Sequence, residues 1–327
     1  WNIFRFHKND NNLNMKNIYK NSQLNLNKAK KILNKNNIIA VPTETVYGLA
    51  GNAYSSKSVK KIYKLKRRPK KNPLIIHYYD LENLKRDAYI DENFLKLYNK
   101  FSPGPLTYIL RKKKVSKIST LANANLKSIA VRFPKNTTIR KLLKRLRFPL
   151  AIPSANLSTN VSPIKASDVK DEFGNNIKFI LDGGRSIIGL ESTVVNLYGK
   201  IKILRPGVIS HNKISKVLEK NIILSGKSKK LISPGQLKRH YSPGIPIKLN
   251  SKKAEDKAAF IVFGKKYKRG KNIFNLSEKS NLDQAAKNLY KTLRKIKKLG
   301  YKKINIVKIP NKRIGIAIND RLKKAAY

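Results

Sequence analysis

The sequence predicts an α/β protein of two domains, and three observations lead there. Short β-branched runs alternate with stretches of helical period along most of the chain, the pattern of helices packed on a sheet. At 327 residues the chain is long enough for two domains that each bury a core. A polar stretch rich in Ser, Lys, Gly and Pro ends at Pro246 and has the composition of an interdomain linker. The expected division is a first domain over 15–212, a linker or lid over 213–246 and a smaller α/β domain over 247–327. Residues 1–14 show no clear period and are read as an extension. Met15, the only methionine, is the candidate start. The alternative is a cleaved presequence, although the segment lacks the continuous apolar stretch of a secretory signal.

Taken in order, Leu24, Leu26, Ala29, Ile32 and Leu33 recur at helical spacing. Residues 38–41 read as a strand running into a Thr-Glu-Thr turn. Ser55 or Ser56 caps a helix with Val59, Ile62 and Tyr63 on its apolar side, and Pro69 is expected to stop it, leaving Lys66 and Arg68 near its end. Residues 74–78, 107–110, 128–131, 150–152 and 179–181 are further strand candidates. Residues 193–197 and 201–204 flank Tyr198-Gly199-Lys200 and read as a hairpin leading into Arg205-Pro206-Gly207. A helix over about 212–220 precedes the linker. Beyond the linker, 258–263 and 304–309 read as buried strands, separated by an amphipathic helix bearing Leu282, Ala285, Ala286, Leu289, Leu293 and Ile296. There is no internal repeat between the halves.

The formal net charge of +55 suggests a polyanion-binding protein. The excess is mostly lysine, however, and travels with abundant Asn, Ile and Tyr, the residues an AT-rich coding sequence favours. The lysines are also spread along the chain rather than blocked into one arm. A solvated surface therefore explains the charge better than a dedicated groove, and weak RNA affinity, double-stranded RNA included, follows from either reading. Without cysteine there are no disulfides, thiolate metal sites or thiol nucleophiles. No apolar run approaches the roughly 20 residues of a membrane helix, so a soluble cytoplasmic protein is expected. His7, His77, His211 and His240 lack metal-ligand spacing, and neither a Gly-x-x-x-x-Gly-Lys-Ser/Thr loop nor a Gly-x-Gly-x-x-Gly follows the first strand.

Chemistry concentrates instead in short turns after apolar runs. Pro42-Thr43-Glu44-Thr45-Val46-Tyr47-Gly48, Lys66-Arg67-Arg68-Pro69 with Asn72-Pro73-Leu74 and His77, and Ser128 through Arg132 supply hydroxyls, amides and fixed cations suited to phosphates and carboxylates. With Pro103-Gly104-Pro105-Leu106-Thr107, Pro153-Ser154-Ala155-Asn156, Ser162-Pro163, Glu191-Ser192-Thr193 and Arg205-Pro206-Gly207, the ordered set resembles the YrdC-like superfamily, specifically its two-domain threonylcarbamoyladenylate synthases. The resemblance covers about 25–210 and continues more weakly through Ser233-Pro234-Gly235, Arg239-His240-Tyr241 and 315–321.

The resemblance implies an open twisted mixed sheet with a concave basic groove in which ATP, L-threonine and bicarbonate are joined, with magnesium on the phosphates. It also implies a partner transferase that uses the product to modify tRNA. Thr43, His77, Arg132, Ile152 and Ser192 are the implied threonine ligands. Arg68, Asn72, Ser128, Ser154, Asn156, Ser162, Arg205 and Lys238 are implied for ATP, and Lys66, Arg68 and Arg132 for catalysis by charge. Arg132 has the planar fork for a bidentate grip on a carboxylate.

Plainer readings stand beside these. Ser154 and Asn156 also suit a turn, and Lys66 and Arg68 suit a helix C-terminus. Glu44 and Glu191 serve either as bases or magnesium ligands, or as hydrogen-bond acceptors for their own loops. Lys238 stands where some members place an aromatic, Ile164 replaces a threonine, and Arg67 fills a commonly small position. The linker is expected to cross the groove, with Arg239, His240 and Tyr241 closing over ATP. Two other functions compete: an RNA-associated binding module, and a carbamoyl-transfer enzyme with another acceptor, whose relatives carry cysteine-rich zinc modules absent here.

Overall fold

The computed structural model describes residues 17–225, 232–236, 240–267 and 270–326. The expected extension over 1–14, and Lys238 and Arg239 of the expected lid, lie outside them.

Local sequence signals account for most helix starts. Ser22 accepts a hydrogen bond from the Asn25 amide and begins α1 (Gln23–Asn34), which buries Leu26, Ala29 and Leu33. Ser55 does the same for α2 (Ser56–Lys66). Asp80 and Asp91 cap α3 (Leu81–Lys85) and α4 (Glu92–Phe101), and Asn136 caps α5 (Thr137–Leu143). Asp168 receives the amides of Ile164 and Lys165 at the start of α6 (Ala166–Phe173). Helix α2 stops before Pro69 can act. Arg67 takes the left-handed conformation, φ 49°, and its amide turns back to the carbonyl of Lys64. That geometry gives the physical reason for a small residue at this position.

Ten strands form one mixed sheet: β1 (Ile18–Lys20), β2 (Ile39–Val41), β3 (Gly48–Asn52), β4 (Ile75–His77), β5 (Leu106–Arg111), β6 (Ser128–Arg132), β7 (Leu150–Ala151), β8 (Ile180–Asp182), β9 (Thr193–Asn196) and β10 (Lys202–Arg205). Their order is β1-β8-β2-β3-β7-β4-β6-β5-β9-β10. Strands β9 and β10 form the expected antiparallel hairpin. The sequence reading missed β1 and β3. The first is a three-residue edge strand and the second, Gly-Leu-Ala-Gly-Asn, lacks β-branched residues. Tertiary pairing overrides that low propensity, because β3 lies between β2 and β7. Gly48 is needed there, since a Cβ would fall 2.2 Å from Ile152 Cγ2 and 2.9 Å from the carbonyl oxygen of Pro153.

Register positions the site. His77 pairs with Arg132 across β4 and β6, Arg132 with Thr107 across β6 and β5, Thr107 with Val194 across β5 and β9, and Val194 with Arg205 across β9 and β10. Paired residues share a sheet face, so this row brings sequence-distant polar groups to one end of the sheet.

Helix α7 (His211–Leu218), capped by Ser210, is the helix expected before the linker, and most of it falls inside the 213–246 assigned to the linker. Ile214 and Leu218 are instead buried with Phe94, Leu97 and Val195, so α7 belongs to the first domain's core. The second domain has a parallel sheet ordered β11-β14-β12-β13, made of β11 (Ile247–Lys248), β12 (Ala259–Val262), β13 (Ile273–Asn275) and β14 (Ile304–Ile306). It is covered by α8 (Leu282–Lys298) and α9 (Gly315–Ala325). Its core is continuous with Val46, Val161, Ile164 and Leu190 of the first domain, so the two domains share an apolar interface. Among the described residues no helix is long and apolar enough to cross a membrane.

Arg67 is exposed and its side chain makes no hydrogen bond among the described residues. Replacing it with glycine removes the left-handed strain, and Arg67→Gly should stabilise the protein by about 0.5–1 kcal/mol. Chemical denaturation of both proteins checks this; an unchanged or lower midpoint would show that the strain is negligible.

Candidate active site

At the end of the sheet marked by the His77–Arg132 row lies a cleft. Seven of the residues proposed from sequence line it: Thr43, Arg68, His77, Arg132, Ile152, Ser154 and Arg205. Thr45, Tyr47, Gly48 and Glu191 join them, and Pro234, Gly235 and His240 bring the linker onto the same cavity.

The cations are anchored mainly by neutral oxygens. Arg68 donates from Nε to the carbonyl of Asn72 (3.0 Å) and from Nη2 to Asn72 Oδ1 (2.6 Å) and the carbonyl of Pro73 (2.8 Å). Arg205 donates from Nε to the carbonyl of Ser192 and from Nη2 to Ser192 Oγ, both 3.0 Å. In each case Nη1 has no hydrogen-bond partner among the described residues, and neither arginine meets a carboxylate at ion-pair distance. Burial pulls the Arg68 guanidinium down to about 10, which still leaves it charged at neutral pH. Lys66 sits behind the wall, its ammonium donating to the carbonyls of Ser154 and Asn156. Burial, and then the nearby Arg68, push its amine well below the ordinary lysine value.

Arg132 differs. It donates to Glu44 Oε1 (2.7 Å) and Thr45 Oγ1 (2.9 Å), with a long contact of 3.4 Å to the carbonyl of Gly104. Among the described residues three of its five N–H groups are therefore engaged, leaving one on each terminal nitrogen. The fork expected for a ligand carboxylate is shared with Glu44. Thr43 is likewise occupied: its hydroxyl donates to the carbonyl of Val46 (2.6 Å) and accepts the amides of Thr45 and Val46 (3.2 Å each).

His77 is only 1% exposed, and its Nδ1 lies 3.3 Å from the carbonyl of Ile75. That carbonyl can only accept, so Nδ1 carries the proton and Nε2 is an acceptor. Nε2 is buried at the cleft with no hydrogen-bond partner among the described residues. Burial, reinforced by Arg132, holds the imidazole well below its usual pKa. A neutral acceptor of this kind suits an ammonium or hydroxyl donor on a ligand.

The remaining candidates do not line the cleft. Asn72 holds Arg68, and Ser192 lies between Thr107 (2.7 Å) and Arg205. Asn156 Nδ2 binds the carbonyls of Leu157 and Asn160, and Ser162 donates to Glu191 Oε1 (2.6 Å). Ser128 opens β6 and lies about 13 Å along the strand from Arg132.

Residues 31–207 match the family profile described as "Telomere recombination", and residues 209–327 match "Threonylcarbamoyl-AMP synthase, C-terminal domain". The proteins named threonylcarbamoyl-AMP synthase from Pyrococcus abyssi and Bacillus subtilis are each 35% identical to this chain. Each match covers 91% of this chain, with 93% and 92% of the respective relative. The chain belongs to the threonylcarbamoyl-AMP synthase family. The crystal structure of P. abyssi Sua5 complexed with L-threonine superposes with a TM-score of 0.86 at 32% identity, over 94% of this chain and 97% of that one.

In this member of the family the two carboxylates nearest the cleft are used locally. Glu44 Oε2 accepts the amides of Lys135 (3.0 Å) and Asn136 (3.2 Å) while Oε1 takes Arg132. Burial alone would raise its pKa, but Arg132 outweighs it and the carboxyl is held below its usual range. Glu191 accepts from Ser162, Tyr290 and Arg321. Against the raising effect of burial, Arg321 and then Arg205 hold it at about 2. Three donors engage each carboxylate, so Glu44 and Glu191 serve as acceptors for their own loops and, at Glu191, for the second domain. Among the described residues no group of three or more His, Asp or Glu can hold a metal.

Sequence reasoning missed the structural parts played by Thr45 and Tyr47, although both stand in the first motif. Tyr47 donates to the carbonyl of Gly184 (2.7 Å) and lies 3.0 Å from Asp182 Oδ1, tying the motif loop to the end of β8. Tyr290 and Arg321 were missed because their partner, Glu191, is about a hundred residues or more away in sequence.

Because His77 remains neutral, L-threonine affinity should carry no His77 titration between about pH 6 and 8. Calorimetric titrations of the parent and His77→Gln across that range check it. A rise or fall with a midpoint near 6.5 that vanishes in His77→Gln would place a protonated imidazole in the site.

Proposed function

We propose that this chain joins L-threonine, bicarbonate and ATP to give threonylcarbamoyl-AMP and pyrophosphate, a nucleotidyl transfer that serves tRNA threonylcarbamoyladenosine modification. The observation that carries the reading is a buried cleft bordered by Arg68 and Arg205, neither meeting a carboxylate at ion-pair distance among the described residues. A buried cation with no carboxylate at ion-pair distance is costly, and an anionic ligand offsets its charge.

The chemistry asks little covalent work of the protein. The threonine amine attacks bicarbonate to form a carbamate with loss of water. A carbamate oxygen then forms a bond to the α-phosphorus as the bond between that phosphorus and the pyrophosphate oxygen breaks. Positioning and charge neutralisation carry such a step. The open Nη1 groups of Arg68 and Arg205 are assigned to the phosphates, together with Ser154 at the cleft wall. Arg132, through its two remaining N–H groups, is assigned to the carboxylate or carbamate of threonine. The Nε2 acceptor of His77 takes a donor from the same substrate, with Thr43 and Ile152 beside it. Lys66, Asn72, Asn156, Ser162 and Ser192 act on this reading by fixing the loops that present these groups. Magnesium belongs to the nucleotide and neutralises its phosphates.

Pro234, Gly235 and His240 border the cleft and would shield a hydrolysable acyl adenylate from water. The product passes to a tRNA-modifying transferase in the cytoplasm, and the surplus surface charge adds only weak, salt-sensitive affinity for RNA.

The purified chain should release pyrophosphate from ATP only with L-threonine, bicarbonate and magnesium all present, and without tRNA. Arg205→Ala should lower the rate on the order of 100-fold if its charge acts mainly in the transition state. Release that ignores threonine, or that requires tRNA, would defeat the synthase reading.

A further inference from the structure

Arg205 and Glu191 both line the cleft, yet they form no ion pair. Arg205 is held against Ser192, the residue next to Glu191. Glu191 faces the other way. Its Oε2 accepts from Arg321 Nε at 2.9 Å, Tyr290 OH lies 3.1 and 2.9 Å from its two oxygens, and Ser162 donates to Oε1. Arg321 and Tyr290 both come from the second domain, on α9 and α8.

Arg321 is 1% exposed, and its second contact falls where it matters. Nη1 donates to the carbonyl of Pro206 at 2.9 Å, the residue immediately after Arg205, and also to Asp320 at 2.7 Å. Asp320 is in turn bonded to Lys324. By distance, Glu191 and Asp320 are paired with Arg321 and Lys324, and Arg205 acts on Glu191 only through space. The Arg321 guanidinium also lies 5.0 Å over the ring of the linker residue Tyr241.

We propose that Arg321 is a positioning residue for nucleotide binding: it draws Glu191 away from Arg205 and so keeps the Arg205 guanidinium available to the phosphates of ATP. The inference rests on the synthase reading and assigns the second domain a part in it. Without Arg321 the cleft would hold an uncompensated carboxylate beside Arg205, and the two would neutralise each other in competition with the phosphates. The plain alternative is a staple between domains, and it makes a different forecast. Loss of a staple is not repaired by removing the charge of Glu191.

The test measures KM for ATP and for L-threonine in pyrophosphate release, together with direct ATP binding by calorimetry, for the full chain and its variants. Arg321→Met should raise the ATP constants about tenfold or more and move the threonine KM less. The double variant Arg321→Met with Glu191→Gln, which leaves no unpaired carboxylate, should bring ATP binding back to within about threefold of the parent. If Arg321→Met does not fold, Arg321→Lys replaces it; it should weaken ATP binding partially, and Glu191→Gln should again reverse the defect. A parental ATP KM in the folded Arg321 variant, or a double variant as impaired as the single one, overturns the inference and leaves the synthase reading standing. A parent chain that does not bind ATP overturns both.

Discussion

The structure is organised around two buried guanidinium groups that have no carboxylate partner among the described residues. Arg68 and Arg205 would each be strongly unfavourable in an apolar interior. They are tolerated because neutral oxygens of Asn72, Pro73 and Ser192 receive part of each guanidinium, while Nη1 makes no hydrogen bond among the described residues. Those oxygens must be held in place, and the loops that hold them account for many of the polar contacts around the cleft. Lys66 gathers the carbonyls of Ser154 and Asn156, and Thr43 closes its own turn. Several side chains that look like ligands in the sequence are the supports of ligands.

The sheet determines where the supported groups meet. Strands β4, β6 and β5 are far apart in sequence, but their register sets His77 beside Arg132 and Arg132 beside Thr107. A slip of one residue would turn each side chain to the opposite face. The close approach of Gly48 to Ile152 acts in the same direction, because it allows β3 and the motif loop to settle against the wall formed by 152–154. Placement of the cleft is thus a property of pairing and not of the loops alone.

The second domain completes this wall. Its apolar core is continuous with Val46, Val161, Ile164 and Leu190, and Tyr290 and Arg321 reach Glu191 from α8 and α9. The linker is gripped from the same side. The His240 amide donates to the carbonyl of Lys324 (3.0 Å), and the Tyr241 ring lies between His240 and Tyr290. Gly235, with φ +85°, approaches so near to Arg205 that a Cβ would fall 2.8 Å from its Cδ. Helix α9 therefore contacts both the linker and the Arg205 loop.

By itself the sequence determined the alternation of strands and helices, the capping serines, the hairpin before Arg205 and the short polar turns that supply cations and hydroxyls. These are local, and a few neighbouring residues suffice to specify them. The family resemblance could be read because its motifs are short and ordered along the chain. Strands β1 and β3 were not legible, since β1 is only three residues long and β3 has little strand propensity, and both pair only because neighbouring strands are already placed. Nor did residue type reveal that the Arg132 fork is shared with Glu44, that Ser192 presents Arg205, or that Glu191 answers to Arg321. Arg132 and Glu44 are 88 positions apart in sequence, and Arg321 and Glu191 are 130 apart. Only the packed sheet and the docked second domain decide which of the possible partners of a buried charge lies within 3 Å, because hydrogen bonding and burial depend on that distance and leave no trace in sequence spacing.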